Sequence, residues 1–277
     1  MVCLLLILQS CSNEPIKLNI KPKESEPKIV IYGQITDQPL VEPPFVRITL
    51  SSSFYNPLQN YYIDNAFVTL SDDLGNVWEF HHTDSGYYRP ASLPQIIAQN
   101  QNFHLKVNHN GKLYEYKTKM IPISPNRKFI DSLTYQYRSR SEPGTFWDGY
   151  YIALWGGKDE KTAPYLYLKI YENGKLKTRF SDTDNRQTIF LAESRFFQNT
   201  ISGVHLPGAY KLGDKIRIAI LSISKNEFDY LNALSNQMNN GGGIFDGPPA
   251  NVKSNFTNDA LGVFLSSSVE WDTLTIR

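Results

Sequence analysis

The stretch Ala66-Phe67-Val68-Thr69-Leu70-Ser71-Asp72-Asp73-Leu74-Gly75-Asn76-Val77-Trp78-Glu79-Phe80-His81 decides the fold class. Ala66 to Leu70 alternates apolar and polar side chains, the pattern of a half-buried strand. Asp72 to Asn76 collects Asp, Gly and Asn, which tolerate the dihedrals of a tight turn. Val77 to His81 then returns as the hairpin partner. The same grammar extends in both directions. Ile29 to Ile35 and Val46 to Leu50 read as strands upstream. Downstream, Ser85-Gly86 turns the chain into Tyr87-Tyr88. Phe103 to Val107 and Leu113 to Tyr116 flank Asn110-Gly111, a strong hairpin signal. Short, closely spaced strands separated by turn residues predict an antiparallel sandwich over residues 28–122.

Ile121-Pro122-Ile123-Ser124-Pro125 interrupts the pattern and marks the expected boundary. A second, larger β-sandwich is expected over residues 123–277. Its clearest strands are Tyr150 to Trp155, Tyr165 to Tyr171 and Lys215 to Leu221. One helix is expected over about residues 225–239. Ser224 and Glu227 have the spacing of a capping box. Phe228, Leu231, Leu234 and Met238 then recur on one helical face. That stripe is expected to pack on the second sheet, and Gly241-Gly242-Gly243 stops the helix. The fold class is therefore mainly β, with two antiparallel β-sandwich units and one packed helix.

Composition narrows the function. The 277 residues carry 28 basic and 27 acidic side chains, a balance that argues against a nucleic-acid partner. Leu4-Leu5-Leu6-Ile7-Leu8-Gln9-Ser10-Cys11 resembles a bacterial lipobox, with Cys11 as the lipidated residue. The apolar run is shorter than the roughly 20 residues needed to cross a bilayer, and it suits the core of a secretory signal. No Lys or Arg precedes it, so the true start is expected upstream of Met1. Residues 1–11 are thus read as signal and lipobox. Residues 12–27, with Pro15, Pro22 and Pro27 among charges, read as an extended linker. The expected partner is a membrane, held through acyl chains on Cys11.

Chemistry is sparse. His81 and His82 are adjacent on a strand and point to opposite faces, so they cannot share a metal. Asp182-Thr183-Asp184-Asn185 lacks the later Gly and Glu of a calcium loop and reads as a turn. No catalytic residue, metal site or cofactor is assigned. Two surfaces are candidates for binding. Tyr165, Tyr167 and Tyr171 share one strand face, and Tyr151 and Trp155 share another. An exposed aromatic face could stack sugar rings or anchor a protein. The simpler reading is cross-strand pairing that only stabilises the sheet. Ile244 and Phe245, in the glycine-rich loop, could be presented to a partner, or the loop could be a plain connection.

In order along the chain stand Cys11, Ile31-Tyr32-Gly33-Gln34-Ile35-Thr36, Asn65 to Asn76, Gly86-Tyr87-Tyr88 and Ile130-Asp131-Ser132-Leu133. Leu212-Gly213-Asp214, Ser222 to Leu231, Pro248-Pro249 and Ala260 to Phe264 follow. This series resembles the domain-of-unknown-function 4249 family of Bacteroidota lipoproteins. The first unit is also similar to transthyretin-like and carboxypeptidase-regulatory-like sandwiches, an Ig-like architecture. The resemblance implies a non-enzymatic, lipid-anchored protein of the outer membrane, on its periplasmic or cell-surface face, accessory to a TonB-dependent transporter. The alternative is a glycan- or nutrient-binding surface lipoprotein that uses the aromatic β-face.

Overall fold

The computed structural model describes residues 26–52, 61–92, 96–159, 161–179, 187–239 and 252–277. Cys11, Ile244, Phe245 and the turn at 182–185 lie outside the described residues. The expectation of a mainly β chain holds. The strands are β1 (Ile29–Thr36), β2 (Phe45–Leu50), β3 (Tyr61–Tyr62), β4 (Phe67–Asp72), β5 (Val77–Asp84), β6 (Tyr87–Pro90), β7 (Asn102–His109) and β8 (Lys112–Lys119). They continue as β9 (Ile130–Arg138), β10 (Gly149–Gly157), β11 (Tyr165–Glu172), β12 (Lys175–Leu176), β13 (Phe190–Glu193), β14 (Thr200–His205) and β15 (Lys215–Ile223). Helix α1 (Lys225–Met238) and strands β16 (Leu261–Ser267) and β17 (Val269–Thr275) complete the order.

Three sheets result. The first has the order β16-β1-β2-β6-β5-β4-β7-β8, with β3 on β2. The quoted hairpin is β4–β5, and Asp72 Oδ1 accepts the Leu74 and Asn76 amides at 3.0 and 2.9 Å. Asn110-Gly111 joins β7 to β8 with φ of 50° and 75°, the left-handed pair that a tight primed turn requires. The sheet folds over until its ends meet. Thr257 N donates to Glu115 O at 3.1 Å, laying the approach to β16 along β8. Ile31, Ile48, Leu70, Phe103 and Leu105 fill the enclosed core.

The second unit stacks β14-β10-β9 against a sheet ordered β12-β11-β15-β17, with β13 on β11. Ile152, Leu154, Leu166, Ile170, Ile216, Ile218 and Ile220 form its core. The alternate β15 residues Ala219, Leu221 and Ile223 point the other way and pack against the first unit. This middle sheet is therefore buried on both faces. That accounts for the nearly unbroken apolar run from Ile218 to Leu221, since neither face can be polar.

The expected division at residues 122 and 123 needs correction. Strand β16 lies far along the chain but pairs in parallel with β1, from Val30–Leu261 to Thr36–Ser267. Only Ser268 separates it from β17, which lies in the middle sheet. The two units are thus interleaved along the chain, and one continuous segment returns through both. Gly262 allows the close pairing: its φ is 115°, and a Cβ there would sit 1.8 Å from the Ile31 carbonyl oxygen. Hydroxyls and acids satisfy the buried crossover. Asp37 Oδ1 accepts the Val269 amide at 2.8 Å, and Ser222 Oγ accepts the Ser268 amide at 3.1 Å. Glu270 Oε2 accepts the Phe129 and Ile130 amides at 2.8 and 3.1 Å, pinning β9 to β17.

Helix α1 starts with the expected capping box at Ser224 and Glu227. It packs on β11 of the second unit, as expected, and on the first unit as well. Phe228 and Leu231 enter the core of the first unit, and α1 touches both β11 and β16. Glu227 is the reason. Besides the Ser224 amide at 2.7 Å, its carboxylate accepts the Thr118 hydroxyl of β8 at 2.8 Å and the Ser266 amide of β16 at 3.3 Å. Met238, at the far end of the stripe, stays exposed.

Complete burial pushes the Glu227 carboxyl from 4.5 up to about 7, against the pull of its donors. Between those values the folded chain holds a proton that the unfolded chain has released. Stability from this group is fully present below pH 4.5 and falls as pH rises through about 7. Denaturant midpoints should therefore decrease from pH 5 to pH 7.5. Glu227→Ala should cost about 1–2 kcal/mol at pH 5 through the lost cap. It should also make the pH slope shallower rather than flat, because burial raises Asp37 and Glu270 as well. An unchanged slope in the variant would assign the titration to another group.

Candidate functional site

Alternation along β11 places Tyr165, Tyr167, Lys169 and Tyr171 on one face, and Leu166, Leu168 and Ile170 on the other, against the second core. The tyrosine face is not an exposed platform. It packs on the outer surface of β1, and only 8% of Tyr167 is accessible. Tyr165 sits 4.8 Å, ring to ring, from Phe228 of α1. The physical reason is the position of its sheet, a middle layer with no free face along most of its length. The aromatic run is the seam between the two units.

An ionic cluster lies within that seam. Lys169 Nζ donates to Glu42 Oε2 at 2.8 Å and to Gln34 Oε1 at 2.6 Å. The Tyr171 hydroxyl donates to the same Glu42 oxygen at 2.9 Å. Arg217 Nη2 stands 3.3 Å from Glu42 Oε1, and its guanidinium lies 4.0 Å over the Tyr171 ring. Glu42 and Lys169 are 1% and 5% exposed, so water screens them little. Burial pushes the Lys169 ammonium down, while Glu42 pulls it back up.

Removing one partner of such a buried pair costs about 3–5 kcal/mol, whereas replacing both by apolar groups is much less damaging. Lys169→Met and Glu42→Leu should each lower stability by about that amount. The double variant should lose far less than the sum, in chemical denaturation. Strictly additive losses would show that the two groups do not depend on each other.

The remaining aromatic candidates lie on β10. Register places Tyr151 opposite Gln136, Ala153 opposite Thr134 and Trp155 opposite Ser132, all on the outer face of the three-stranded sheet. Tyr151 is 8% exposed, and its hydroxyl donates to Trp147 O at 3.0 Å, so it serves the fold. Trp155 is 42% exposed. Its Nε1 donates to Thr134 Oγ1 at 2.8 Å, which fixes the ring on the sheet surface. The ring lies over Gly203, where a Cβ would stand 3.2 Å from the indole. His205 and Arg138 border this surface, 3.4 Å apart. Of the five aromatic candidates among the described residues, Trp155 alone offers an open ring face.

The sequence reading passed over Tyr135, Tyr137 and Phe146. Tyr135 and Tyr137 set their rings 5.8 and 5.4 Å from Tyr150, both edge-on, at the rim of the second core. Tyr137 and Phe146 are 55% and 76% exposed. The alternation of Leu133, Tyr135 and Tyr137 with Ser132, Thr134 and Gln136 was the available signal. Among the described residues, no group of three or more His, Cys, Asp or Glu could hold a metal ion. The buried carboxylates of Asp37, Glu227 and Glu270 are engaged by backbone amides.

No curated protein matches the chain. Solved structures that match include a two-domain fibronectin type III segment of chicken tenascin. It is 10% identical, with a TM-score of 0.21, and the match covers 71% of this chain and 90% of that one. A family model described as Domain of unknown function (DUF4249) matches residues 13–272, and the chain belongs to that family.

Proposed function

We propose that the protein is a non-enzymatic lipoprotein of the outer membrane, tethered through Cys11, that serves as an accessory to a TonB-dependent transporter. The observation that carries this reading is the seam. Glu42, Lys169 and Arg217 bind the two sandwiches into one body, so exposed side chains on either unit keep fixed relative positions. Such a body suits docking, because little interface freedom is lost on association. Tyr137, Phe146 and Trp155 supply exposed aromatic groups of the type that anchors interfaces. The chain should co-purify in mild detergent with a barrel identified by mass spectrometry as a TonB-dependent transporter. Phe146→Ser with Tyr137→Ser should weaken that association without lowering Tm by more than about 2 °C. A chain that elutes alone would overturn the docking role.

The second reading is glycan or nutrient binding, and the open face of Trp155 between Thr134 and His205 favours it. A stacked sugar ring would lose its platform in Trp155→Ala. Glycan-array signals should then fall to background, while signals that persisted would exclude this face. Tyr167→Ala is not a suitable probe, since Tyr167 is part of the seam.

A further inference from the structure

The face of the middle sheet that forms the seam continues beyond the first unit. Alternation puts Lys215 and Arg217 of β15 on that face, and register sets Thr275 and Thr273 of β17 opposite them. Tyr171 lies opposite Arg217 on the other side. These residues and Arg277 line an open groove of about 700 Å³. Among the described residues, no acidic side chain lines it. Glu172 and Asp272, neighbours along the strands, pair in register with Ile216 and Ile218 and so take the opposite face.

The seam leaves this groove a positive floor. Glu42 contributes one negative charge, whereas Lys169 and Arg217 contribute two positive ones. Lys169 is enclosed and is committed to Glu42 and Gln34. Arg217 is the member of the cluster that reaches the groove, with 30% of its side chain accessible. One edge of its guanidinium is held by Glu42 and by the Val41 carbonyl. A guanidinium has five N–H donors, so further donors remain for a ligand. Lys215 adds a rotatable ammonium, and Thr273 and Thr275 add hydroxyls.

We propose that this groove binds a phosphate group. Several cations around hydroxyl donors match a tetrahedral dianion better than a planar carboxylate, which one Arg fork would satisfy. The same chemistry would take a soluble phosphate or a phosphorylated lipid headgroup. The inference stands apart from the transporter reading and concerns a different surface from Trp155.

The test uses the full chain carrying Cys11→Ser, so that an acyl anchor does not itself drive membrane association. Inorganic phosphate is titrated calorimetrically at constant ionic strength, which holds non-specific screening fixed. In parallel, the chain is floated with vesicles of phosphatidylcholine alone or with added phosphatidic acid. Saturable phosphate binding assigns a soluble ligand. Binding to phosphatidic acid vesicles without free phosphate binding assigns a headgroup. In either case Lys215→Ala and Thr273→Val should each weaken binding about tenfold. Lys106→Ala, the same charge change on β7 of the first unit, should leave it unchanged. No binding in either arm, or binding that survives Lys215→Ala, would overturn the proposal. The Lys215 and Thr273 substitutions leave the buried partners of Glu42 in place, so a lost signal is not explained by an opened seam.

Discussion

Glu42 is almost fully buried between two sheets drawn from different parts of the chain, and the arrangement of the two units follows from what it holds. A carboxylate in that position is costly unless donors surround it. Lys169 and Tyr171 supply them, both to Oε2, and Arg217 adds a positive charge 3.3 Å from Oε1, all from the middle sheet. Gln34 extends the cluster: its Oε1 accepts from Lys169, and its Nε2 donates to the Pro43 carbonyl at 2.9 Å. Apolar contacts alone would let the sheets slide over one another at little cost. Directed hydrogen bonds to a single carboxylate fix the register of β11 against β1.

The crossover from β16 to β17 imposes the complementary constraint along the chain. One segment must finish the first sheet and begin an edge of the middle sheet, with Ser268 alone between them. A turn this abrupt, deep in the molecule, leaves amides and carbonyls without ladder partners. Asp37 and Ser222 take up the Val269 and Ser268 amides, and Glu270, just beyond, takes up the Phe129 and Ile130 amides at the entry to β9, which explains polar side chains where a core would otherwise be expected. Glu227 extends the pattern to α1, since its carboxylate joins the helix start to β8 and β16. The buried acids of this fold thus mark places where the chain changes layers.

Local features were legible in the sequence because they depend on neighbours along the chain. The Asn110-Gly111 turn, the Ser224–Glu227 cap and the alternation of β4 and β11 each followed from a few adjacent residues. Which surface covers which was not legible, because non-local pairing leaves no mark on local periodicity. The parallel pairing of β16 with β1 is the clearest case, and it moved the boundary between the units. The tyrosine face of β11 looked like a platform on alternation alone. Two features carried a contrary signal. Lys169 stands among those tyrosines, and the facing row of β15 turns apolar from Ala219 to Leu221 and Ile223. Together they describe a face that is covered, with one charge needing a partner. Alternation placed Trp155 on a strand face, but only Gly203 and Thr134 explain why its ring lies open on the sheet.

Arg217 connects the seam to the groove beside it. Stacking on Tyr171 and contact with Glu42 restrict a side chain that otherwise has many rotamers. The entropy of placing it is spent on folding, so a ligand meeting the guanidinium need not immobilise it again. Lys215, two residues away and solvent-exposed, has no such preparation. On the proposed reading, Arg217 sets the geometry of the phosphate site and Lys215 adds charge to it. The contact that keeps the two sandwiches in register and the contact that aims the groove are then one structure. Loosening the seam would disturb the groove, whereas altering the outer lysine would leave the seam intact.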